Sequence, residues 1–523
     1  MPARPRIGFV SLGCPKNLVD SEVMMGLLHH AGAELTPRAE DADIIVVNTC
    51  SFIDSAKQES VNTILEMANH KTANGGRAQK LIVAGCLVER YRDEIRKNIP
   101  DVDAVLGTGE LDAILAAAGM QPVGTAGTSP FTILSGTTNQ QVSEPASQQD
   151  AALIDRASSA VRKHSQIEVP EQTSRPEGDL REKQGRFNRE AWDGATAELP
   201  SYLYSDETPR ILTTPRASAY IKIAEGCDHP CGFCIIPQLR GKFRSRRISS
   251  IVNEAENLLR QGVREITLIG QDTTCYGEDL GLKDGLAMLL EALATLEVPG
   301  VGPIHWLRFL YAYPNKVTTR LLDTIAAHDN VAKYLDVPLQ HASALTLKRM
   351  KRGGSGAIFL RMLEKARAIV PGIAIRTSFI VGFPGETDEE FAALEDFVKA
   401  AKIDWLGVFS YSDEEGAAAF DLGAKVPKRT IEARRRRLMR TQMKISAKAR
   451  AAQVGRVIEV LVEGPSEETE LLWQGRTMQQ APEIDGHVLI NDFGDHEDLV
   501  PGTFYRAEIT EAHDYDVVAR IVD

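Results

Sequence analysis

The sequence contains no run of 18 or more apolar residues, which is about the length that a helix needs to cross a membrane. Its first residues also lack the apolar segment of a secretory signal, so we expect a cytoplasmic protein with no membrane partner. The seven cysteines are few and odd in number for a chain of 523 residues, which argues against a disulfide framework. Cysteines that cluster are therefore better interpreted as metal ligands or catalytic groups.

Residues 451–523 contain no lysine and only four arginines, against sixteen acidic residues. The rest of the chain has basic and acidic residues in equal number, so the formal net charge of −12 belongs entirely to this tail. Affinity for RNA depends largely on lysine and arginine side chains that neutralise phosphates. The tail is therefore poorly suited to nucleic acid and better suited to a basic protein partner.

Alternating strand and helix patterns predict an α/β fold. In residues 1–123, the runs RIGFVSLG, ADIIVVNT and KLIVAG predict a doubly wound parallel sheet. In residues 216–450, six further runs predict a partial or complete β/α barrel with its active site at the carboxyl ends of the strands. Residues 451–523 predict a small antiparallel β-barrel of the oligonucleotide-binding type. Residues 124–215 are polar and rich in Gly and Pro, and we expect a mostly disordered linker with at most a short helix at 150–163.

The strongest motif is EGCDHPCGFCIIP, in which Cys227, Cys231 and Cys234 follow directly on the first predicted barrel strand. Three thiolates on one short loop can bind three irons of a 4Fe-4S cluster and leave the fourth iron open. An open iron can bind the methionine end of S-adenosylmethionine, whose sulfonium is then cleaved by one electron. The alternatives are three incidental buried thiols or a zinc site with His229 as fourth ligand, and the spacing favours the cluster.

A second set of cysteines is spread along the first unit. Cys14, Cys50 and Cys86 each stand at the end of a predicted parallel strand. Such ends lie at one edge of a sheet, so we expect the three thiols to converge and to hold a second 4Fe-4S cluster. The alternative is three buried core thiols, which their repeated position disfavours. Cys275 has no partner cysteine nearby and is interpreted as structural or incidental.

Several polar and glycine residues near the predicted strand ends are candidates for contacts with S-adenosylmethionine. Their shared position favours the active site over ordinary turn or core roles. The candidates are Phe233 beside the third cysteine, Gly270, Gln271 and Asp272 after the second strand, Gln340 and His341 after the fourth, and Arg376, Ser378, Gly382 and Gly385 along the fifth.

Taken together, these motifs resemble those of the methylthiotransferases, which are radical S-adenosylmethionine enzymes with a three-cysteine N-terminal domain, a radical barrel and a C-terminal TRAM domain. The strings SLGCPKNLVDSE, CIIP after Cys231, DVPLQHAS and APEIDGHVLIND are similar to one branch of the family. That branch adds a methylthio group to the β-carbon of an aspartate in small-subunit ribosomal protein twelve. The alternative branch modifies a tRNA adenosine and typically has Gln-Met-Asn where this chain has Pro-Lys-Asn-Leu.

The resemblance implies that the CxxxCxxC cysteines bind the radical cluster and that the three N-terminal cysteines bind an auxiliary cluster. It implies a deoxyadenosyl radical that removes hydrogen from the substrate carbon, sulfur held or supplied at the auxiliary cluster, and a methyl group from a second S-adenosylmethionine. The implied partners are ribosomal protein twelve, free or in the ribosome, an external sulfur source and an electron donor. The acidic tail argues against tRNA, although the basic run 434–450 could touch RNA if it is more than a solvated helix face. Residues 124–215 depart from the family, which usually joins its first two domains by a shorter segment.

Overall fold

The computed structural model describes residues 4–121, 199–215, 217–466, 469 and 471–522. Most of the predicted linker 124–215, including the possible helix at 150–163, lies outside the described residues. Within the described ranges, no helix is both long and apolar enough to span a membrane.

The N-terminal unit is a five-stranded parallel sheet with helices on both faces. In β3, Ile44 and Val46 belong to the apolar cluster on one face, and Ile45 and Val47 belong to the cluster on the other. The three long strands were predicted, whereas β2 and β5 have three residues each and are too short to show a hydrophobic pattern. The strands, in the order β2-β1-β3-β4-β5, are β1 (Arg6–Ser11), β2 (Glu34–Thr36), β3 (Ile44–Thr49), β4 (Lys80–Gly85) and β5 (Ala104–Leu106). The helices are α1 (Pro15–His30), α2 (Asp54–Ala68), α3 (Cys86–Asn98) and α4 (Ile114–Ala118).

The central unit is a partial barrel of parallel strands. Two three-stranded sheets, β6-β9-β12 and β13-β14-β15, are joined by a parallel bridge between Leu307 and Val331. These six strands are the ones predicted. The strands of this unit are β6 (Ser218–Lys222), β7 (Ala224–Glu225), β8 (Arg244–Ser245), β9 (Glu265–Ile269), β10 (Glu297–Val298), β11 (Gly302–Pro303), β12 (Trp306–Phe309), β13 (Tyr334–Asp336), β14 (Ala374–Val381) and β15 (Trp405–Ser410). Its helices are α5 (Ile236–Arg240), α6 (Ile248–Arg260), α7 (Gly285–Ala294), α8 (Thr319–Ala327), α9 (Ala344–Arg349), α10 (Gly356–Ile369), α11 (Asp388–Ala401) and α12 (Lys428–Ala451).

The C-terminal unit is a closed five-stranded barrel. Four of its neighbouring pairs are antiparallel, as predicted, and the pair β18–β20 is parallel. In the order β16-β17-β18-β20-β19, the strands are β16 (Val457–Pro465), β17 (Trp473–Arg476), β18 (Val488–Asp492), β19 (Phe504–Ala512) and β20 (Val517–Ile521).

Residues 199–215 form neither helix nor strand, yet they pack between the first two units. Tyr204 is buried, and its hydroxyl donates to the Glu254 carboxylate at 3.2 Å. Arg210 bridges the units because it pairs with Glu22 of α1 at 2.6 Å and with Glu254 of α6 at 2.7 Å. The polar composition of the predicted linker did not indicate this packing.

Candidate active site

The carboxyl ends of β3 and β4 place two cysteines side by side. The strand register pairs Thr49 with Gly85, so Cys50 and Cys86 follow at the same level on neighbouring strands. Both side chains are buried. The thiols therefore lie at one edge of the sheet, as the parallel topology predicts.

Gly13 brings the third cysteine to the same edge. It has a φ of +95°, and a Cβ added to it would be 2.8 Å from the Cβ of Cys50 and 3.1 Å from its Sγ. A residue with a side chain would collide there, so only glycine lets the chain pass. Cys14 follows directly and is the N-cap residue of helix Pro15–His30. The structure thus brings the three N-terminal thiols together, and their role as cluster ligands stays a prediction.

These thiols lie in a strongly perturbed electrostatic environment. Burial raises the pKa of Cys86 to about 12 and also raises the pKa of Cys50. Burial acts on Cys14 in the same direction, but the charges of Lys16 and Arg240, together with backbone hydrogen bonds, outweigh it and lower the pKa of this thiol. Iron binds thiolates, so a cluster must displace protons here, and the two cations favour that exchange.

The CxxxCxxC loop is held by backbone hydrogen bonds to three other segments. The amide of Cys227 donates to the Gly241 carbonyl at 3.1 Å. The amide of Gly232 donates to the Met350 carbonyl at 2.8 Å, and its carbonyl accepts from the Ala419 amide at 2.7 Å. The conformation of the loop is therefore determined by the barrel around it.

The loop thiols are partly buried and lie close enough to one another for their charges to interact. Burial raises the pKa of Cys227 and of Cys234 to about 12, and the neighbouring Cys231 raises both. Arg352 donates from Nη1 to the Cys231 sulfur at 3.4 Å. Two sets made only of thiols are the donor sets that iron–sulfur clusters use, and three thiols in each set leave one iron of a 4Fe-4S cluster without a protein ligand.

The zinc alternative needs His229 as a fourth ligand, and the structure engages this side chain elsewhere. Its Nε2 lies 2.6 Å from Oδ2 of Asp272, and its ring stacks on Tyr313 with centroids 4.0 Å apart. Cys275 donates from Sγ to the same Asp272 oxygen at 3.0 Å. His229 therefore anchors the cluster loop to the end of β9. Its spacing in the motif did not indicate this role, because the contact depends on the barrel.

Gln271 has a buried side-chain oxygen that is available to a ligand, and its contact with the cofactor stays a prediction. Its Nε2 donates to Oε1 of Glu225 at 3.0 Å. Its Oε1 is buried and has no hydrogen-bond partner among the described residues. A buried acceptor without a partner is costly, so this oxygen fits a donor on a bound molecule, such as the amino group of S-adenosylmethionine. Phe233, in the CxxxCxxC loop, is half-buried and packs against the hydrophobic side chains of Met350 and Phe383.

Gln340 and Gly270 lie at strand ends but show backbone roles. Gln340 has a φ of +70°, a conformation that non-glycine residues adopt only when their surroundings impose it. Its carbonyl accepts from the Ile380 amide at 2.8 Å. The carbonyl of Gly270 accepts from Nζ of Lys16 at 3.4 Å. Contacts of either residue with the cofactor stay predictions.

The structure gives Arg376 and Gly382 other partners. Arg376 pairs with Asp336 at 2.9 Å and with Asp485 of the C-terminal barrel at 3.4 Å. Gly382 has a φ of +81°, and a Cβ on it would be 2.3 Å from Cγ1 of Ile431 on α12. Helix packing therefore accounts for this glycine, and a ligand contact is not needed to explain it.

The remaining predicted residues have protein partners around the same barrel mouth. His341 is fully buried and faces Glu386 at 3.6 Å, the Ser378 carbonyl accepts from the Gln340 amide at 2.9 Å, and the Gly385 amide donates to the Ala424 carbonyl at 2.9 Å.

Side chains that cross the boundary between the first two units connect the two sets of thiols. Lys16, two residues after Cys14, lies over the Tyr311 ring at 3.4 Å from its centroid and reaches the end of β9. Arg240, six residues after Cys234, donates to the Cys86 sulfur at 3.8 Å. Side chains from each unit thus line the site of the other.

Three protein families match the chain, and each match lies inside one predicted unit. The uncharacterized protein family UPF0004 matches residues 6–107, the Radical SAM superfamily matches 221–398, and the TRAM domain matches 454–522. The ribosomal protein uS12 methylthiotransferase RimO of Koribacter versatilis is 65% identical over 517 residues, which cover 99% of this chain and 96% of that protein. The chain belongs to the RimO family.

RimO of Solibacter usitatus is 54% identical, with 99% of this chain and 95% of that protein covered. These matches confirm the predicted family, the α/β fold class with its TRAM barrel, and a radical methylthiotransferase that uses S-adenosylmethionine and 4Fe-4S clusters. Among solved structures, one similar to this chain is the radical S-adenosylmethionine methyltransferase TsrM of Kitasatospora setae. The structural alignment covers 78% of this chain and 72% of TsrM, with 14% sequence identity and a TM-score of 0.48.

Proposed function

We propose that this protein adds a methylthio group to the β-carbon of an aspartate in ribosomal protein uS12. The proposal rests on one observation: two sets of three thiols are connected across a unit boundary by Arg240, in a chain that is 65% identical to a RimO over nearly its whole length. Radical formation and sulfur insertion need two iron sites near one substrate carbon, and the proposed cluster assignments would provide both.

Each set of cysteines has a separate role in the proposal. The CxxxCxxC thiols hold the radical cluster, and the N-terminal thiols hold the auxiliary cluster. When bound, these clusters and S-adenosylmethionine supply one-electron cleavage, hydrogen abstraction and sulfur. The chain's own groups position these parts: Gln271 offers its unpartnered Oε1 to the cofactor, and His229 fixes the cluster loop through Asp272. Cys50 and Cys86 are buried, which limits the access of water to the N-terminal site.

Charge supports uS12 over a tRNA as the substrate. The described part of the C-terminal barrel has acidic side chains such as Glu497 and Asp514 exposed, and the whole tail carries the chain's net charge of −12. Such a surface repels phosphates and attracts a basic ribosomal protein. A sulfur source and an electron donor complete the proposed set of partners.

The test uses anaerobically reconstituted protein, for which two cubane clusters predict about eight irons per chain. We expect Cys227→Ala to abolish the formation of deoxyadenosine. Cys14→Ala should still form deoxyadenosine but should leave uS12 without the methylthio group, because only the auxiliary site is lost. Product analysis by chromatography and mass spectrometry of uS12 measures both outcomes, with Cys275→Ala as the matched cysteine control.

Mass spectrometry of uS12 from cells that lack the gene gives the complementary result. We expect the methylthio mass on one aspartate to disappear and to return with the wild-type gene but not with Cys14→Ala. An unchanged uS12 together with loss of a methylthio group from tRNA would refute the proposal and favour the tRNA branch.

A further inference from the structure

Arg240 ends the short helix that follows the CxxxCxxC motif, but its guanidinium reaches into the N-terminal unit. The side chain is 2% exposed. Nη1 donates to both oxygens of Glu225 at 3.1 Å. Nη2 donates to Oδ1 of Asn17 at 2.5 Å, to Oδ2 of Asp20 at 3.1 Å and to the sulfur of Cys86 at 3.8 Å. One guanidinium therefore joins the barrel, helix α1 and a thiol of the auxiliary site.

The charges around this guanidinium are balanced without the thiol. Asp20 and Glu225 are shared between Arg240 and Lys222, whose Nζ pairs with Asp20 and lies 2.6 Å from Glu225. Two buried cations thus face two buried carboxylates. This network holds the guanidinium on its own, so Nη2 is kept beside Cys86 by contacts that do not involve the sulfur.

We propose that Arg240 is a positioning residue for the auxiliary cluster. Its guanidinium donates to the Cys86 sulfur and stabilises the reduced state of the cluster. Through this contact, the barrel controls the reduction potential of the N-terminal site. This inference rests on the proposed assignment of Cys86 as a ligand. Reduction adds one electron from an external donor and therefore one negative charge to the cluster. A fixed positive charge and a hydrogen bond to a ligand sulfur favour that state and raise the potential.

The radical site has a corresponding arginine, which provides a matched control. Arg352 donates from Nη1 to the Cys231 sulfur at 3.4 Å, and its Nη2 donates to the Pro338 carbonyl at 3.0 Å. Its guanidinium lies 4.4 Å from the centroid of the Tyr313 ring. Each arginine thus contacts a thiol of a different set.

The test follows the reduction potential of each cluster in the full-length protein. Replacing the three CxxxCxxC cysteines by alanine leaves only the auxiliary cluster, and replacing the three N-terminal cysteines leaves only the radical cluster. In the auxiliary-only protein, we expect Arg240→Gln to shift the one-electron reduction equilibrium at least tenfold toward the oxidised state. A tenfold shift makes the reduction potential about 59 mV more negative. Arg352→Gln should leave this potential unchanged and should shift only the potential of the radical-only protein. Dithionite titration monitored by electron paramagnetic resonance measures both potentials.

Arg240→Lys keeps the test decisive if the glutamine variant fails to take up iron. Lysine retains the charge beside Asp20 and Glu225 but lacks the fork that reaches the sulfur, so a smaller negative shift is expected. An iron-loaded Arg240→Gln variant with an unchanged reduction potential would refute the inference. If that variant takes up no iron, an iron-loaded Arg240→Lys variant with an unchanged reduction potential would refute it. Failure of the proposed cluster assignment differs from both results, because the auxiliary-only protein would then bind no cluster even with Arg240 present.

Discussion

Cys275 lies beside the radical-cluster loop but is not part of its motif. Its Sγ donates to Asp272 and is 4.0 Å from Nε2 of His229. Burial raises the pKa of this thiol, and the Asp272 charge raises it further. The thiol is hydrogen-bonded to a carboxylate and belongs to neither set of three cysteines, so its contacts give it no role as an iron ligand.

We therefore expect Cys275→Ala to retain about eight irons per chain after reconstitution, the content of two cubane clusters. Asp272 keeps its contacts with His229 and Thr274, so the cluster loop stays anchored. Cys234→Ala is the matched control and should lose the iron of one cluster. Iron and sulfide analysis measures the difference. Loss of a cluster from the Cys275 variant would show that this thiol is a ligand and that the interpretation of its contact with Asp272 is wrong.

The cysteines of the candidate site were predictable because local sequence patterns indicate them. The CxxxCxxC spacing is visible in the sequence, and the strand-end position of Cys14, Cys50 and Cys86 follows from parallel topology. Arg240 and Arg352 were missed as thiol contacts, since they touch cysteines 154 and 121 positions away in the chain. Contacts of that kind depend on how the units pack, which no local spacing shows.

Helix α12, Lys428–Ala451, packs against the end of β14 through Ile431, which is buried. Gly382 makes this close approach possible, because its positive φ and its missing side chain both serve the turn after β14. Its amide donates to the Glu386 carboxylate, which also lies near Arg434 of the helix. Glycine here is a packing requirement between two elements.

We expect Gly382→Ala to lower the free energy of unfolding by about 3 kcal/mol, from the strained backbone and the collision with Ile431. Gly423→Ala is the control, because a Cβ there meets no atom within 4 Å. Denaturant unfolding measures both. In an Ile431→Ala background, the cost of Gly382→Ala should fall because the colliding atoms are gone. An equal cost in both backgrounds would place the effect in the backbone alone.

The long strands and helices were predictable from apolar periodicity, and the structure contains all of the predicted strands of the first two units. The strands that were not predicted are short, and the strand direction that was not predicted depends on closure of the C-terminal barrel. β2 and β5 contain three residues each, and the parallel pair β18–β20 arises because the C-terminal barrel closes. A strand of three residues has no measurable alternation, and the direction of a closing pair depends on the path of the whole chain.

Buried ion pairs join the three units. Arg90 of α3 pairs with Glu414 of the barrel at 2.7 Å, and both side chains are almost completely buried. At the other boundary, Arg476 of the C-terminal barrel pairs with Glu265 of β9 at 2.7 Å, and Arg308 binds the same carboxylate at 3.1 Å. Breaking a buried pair leaves a charge without compensation, so these contacts bind the units strongly to one arrangement.

Glu265 shows the effect of this packing on stability. Burial acts to raise the pKa of the Glu265 carboxyl, but Arg476 and Arg308 outweigh burial and lower this pKa from 4.5 to about 2. The carboxylate therefore contributes stability that is complete above pH 4.5 and is lost as the pH falls toward 2. We expect Arg476→Met to lower the free energy of unfolding at pH 7 by about 3 kcal/mol, because Glu265 loses one of its two cations.

The variant should also lose less stability between pH 4.5 and pH 2 than the wild-type protein, because the carboxyl is no longer held so strongly in its charged form. Denaturant unfolding followed by tryptophan fluorescence at several pH values measures both effects. Arg520→Met is the matched control in the same barrel, since its pair with Glu508 is exposed and should change stability little. If the two variants had equal stability at pH 7, the buried pair would not be what holds the C-terminal barrel against the central one.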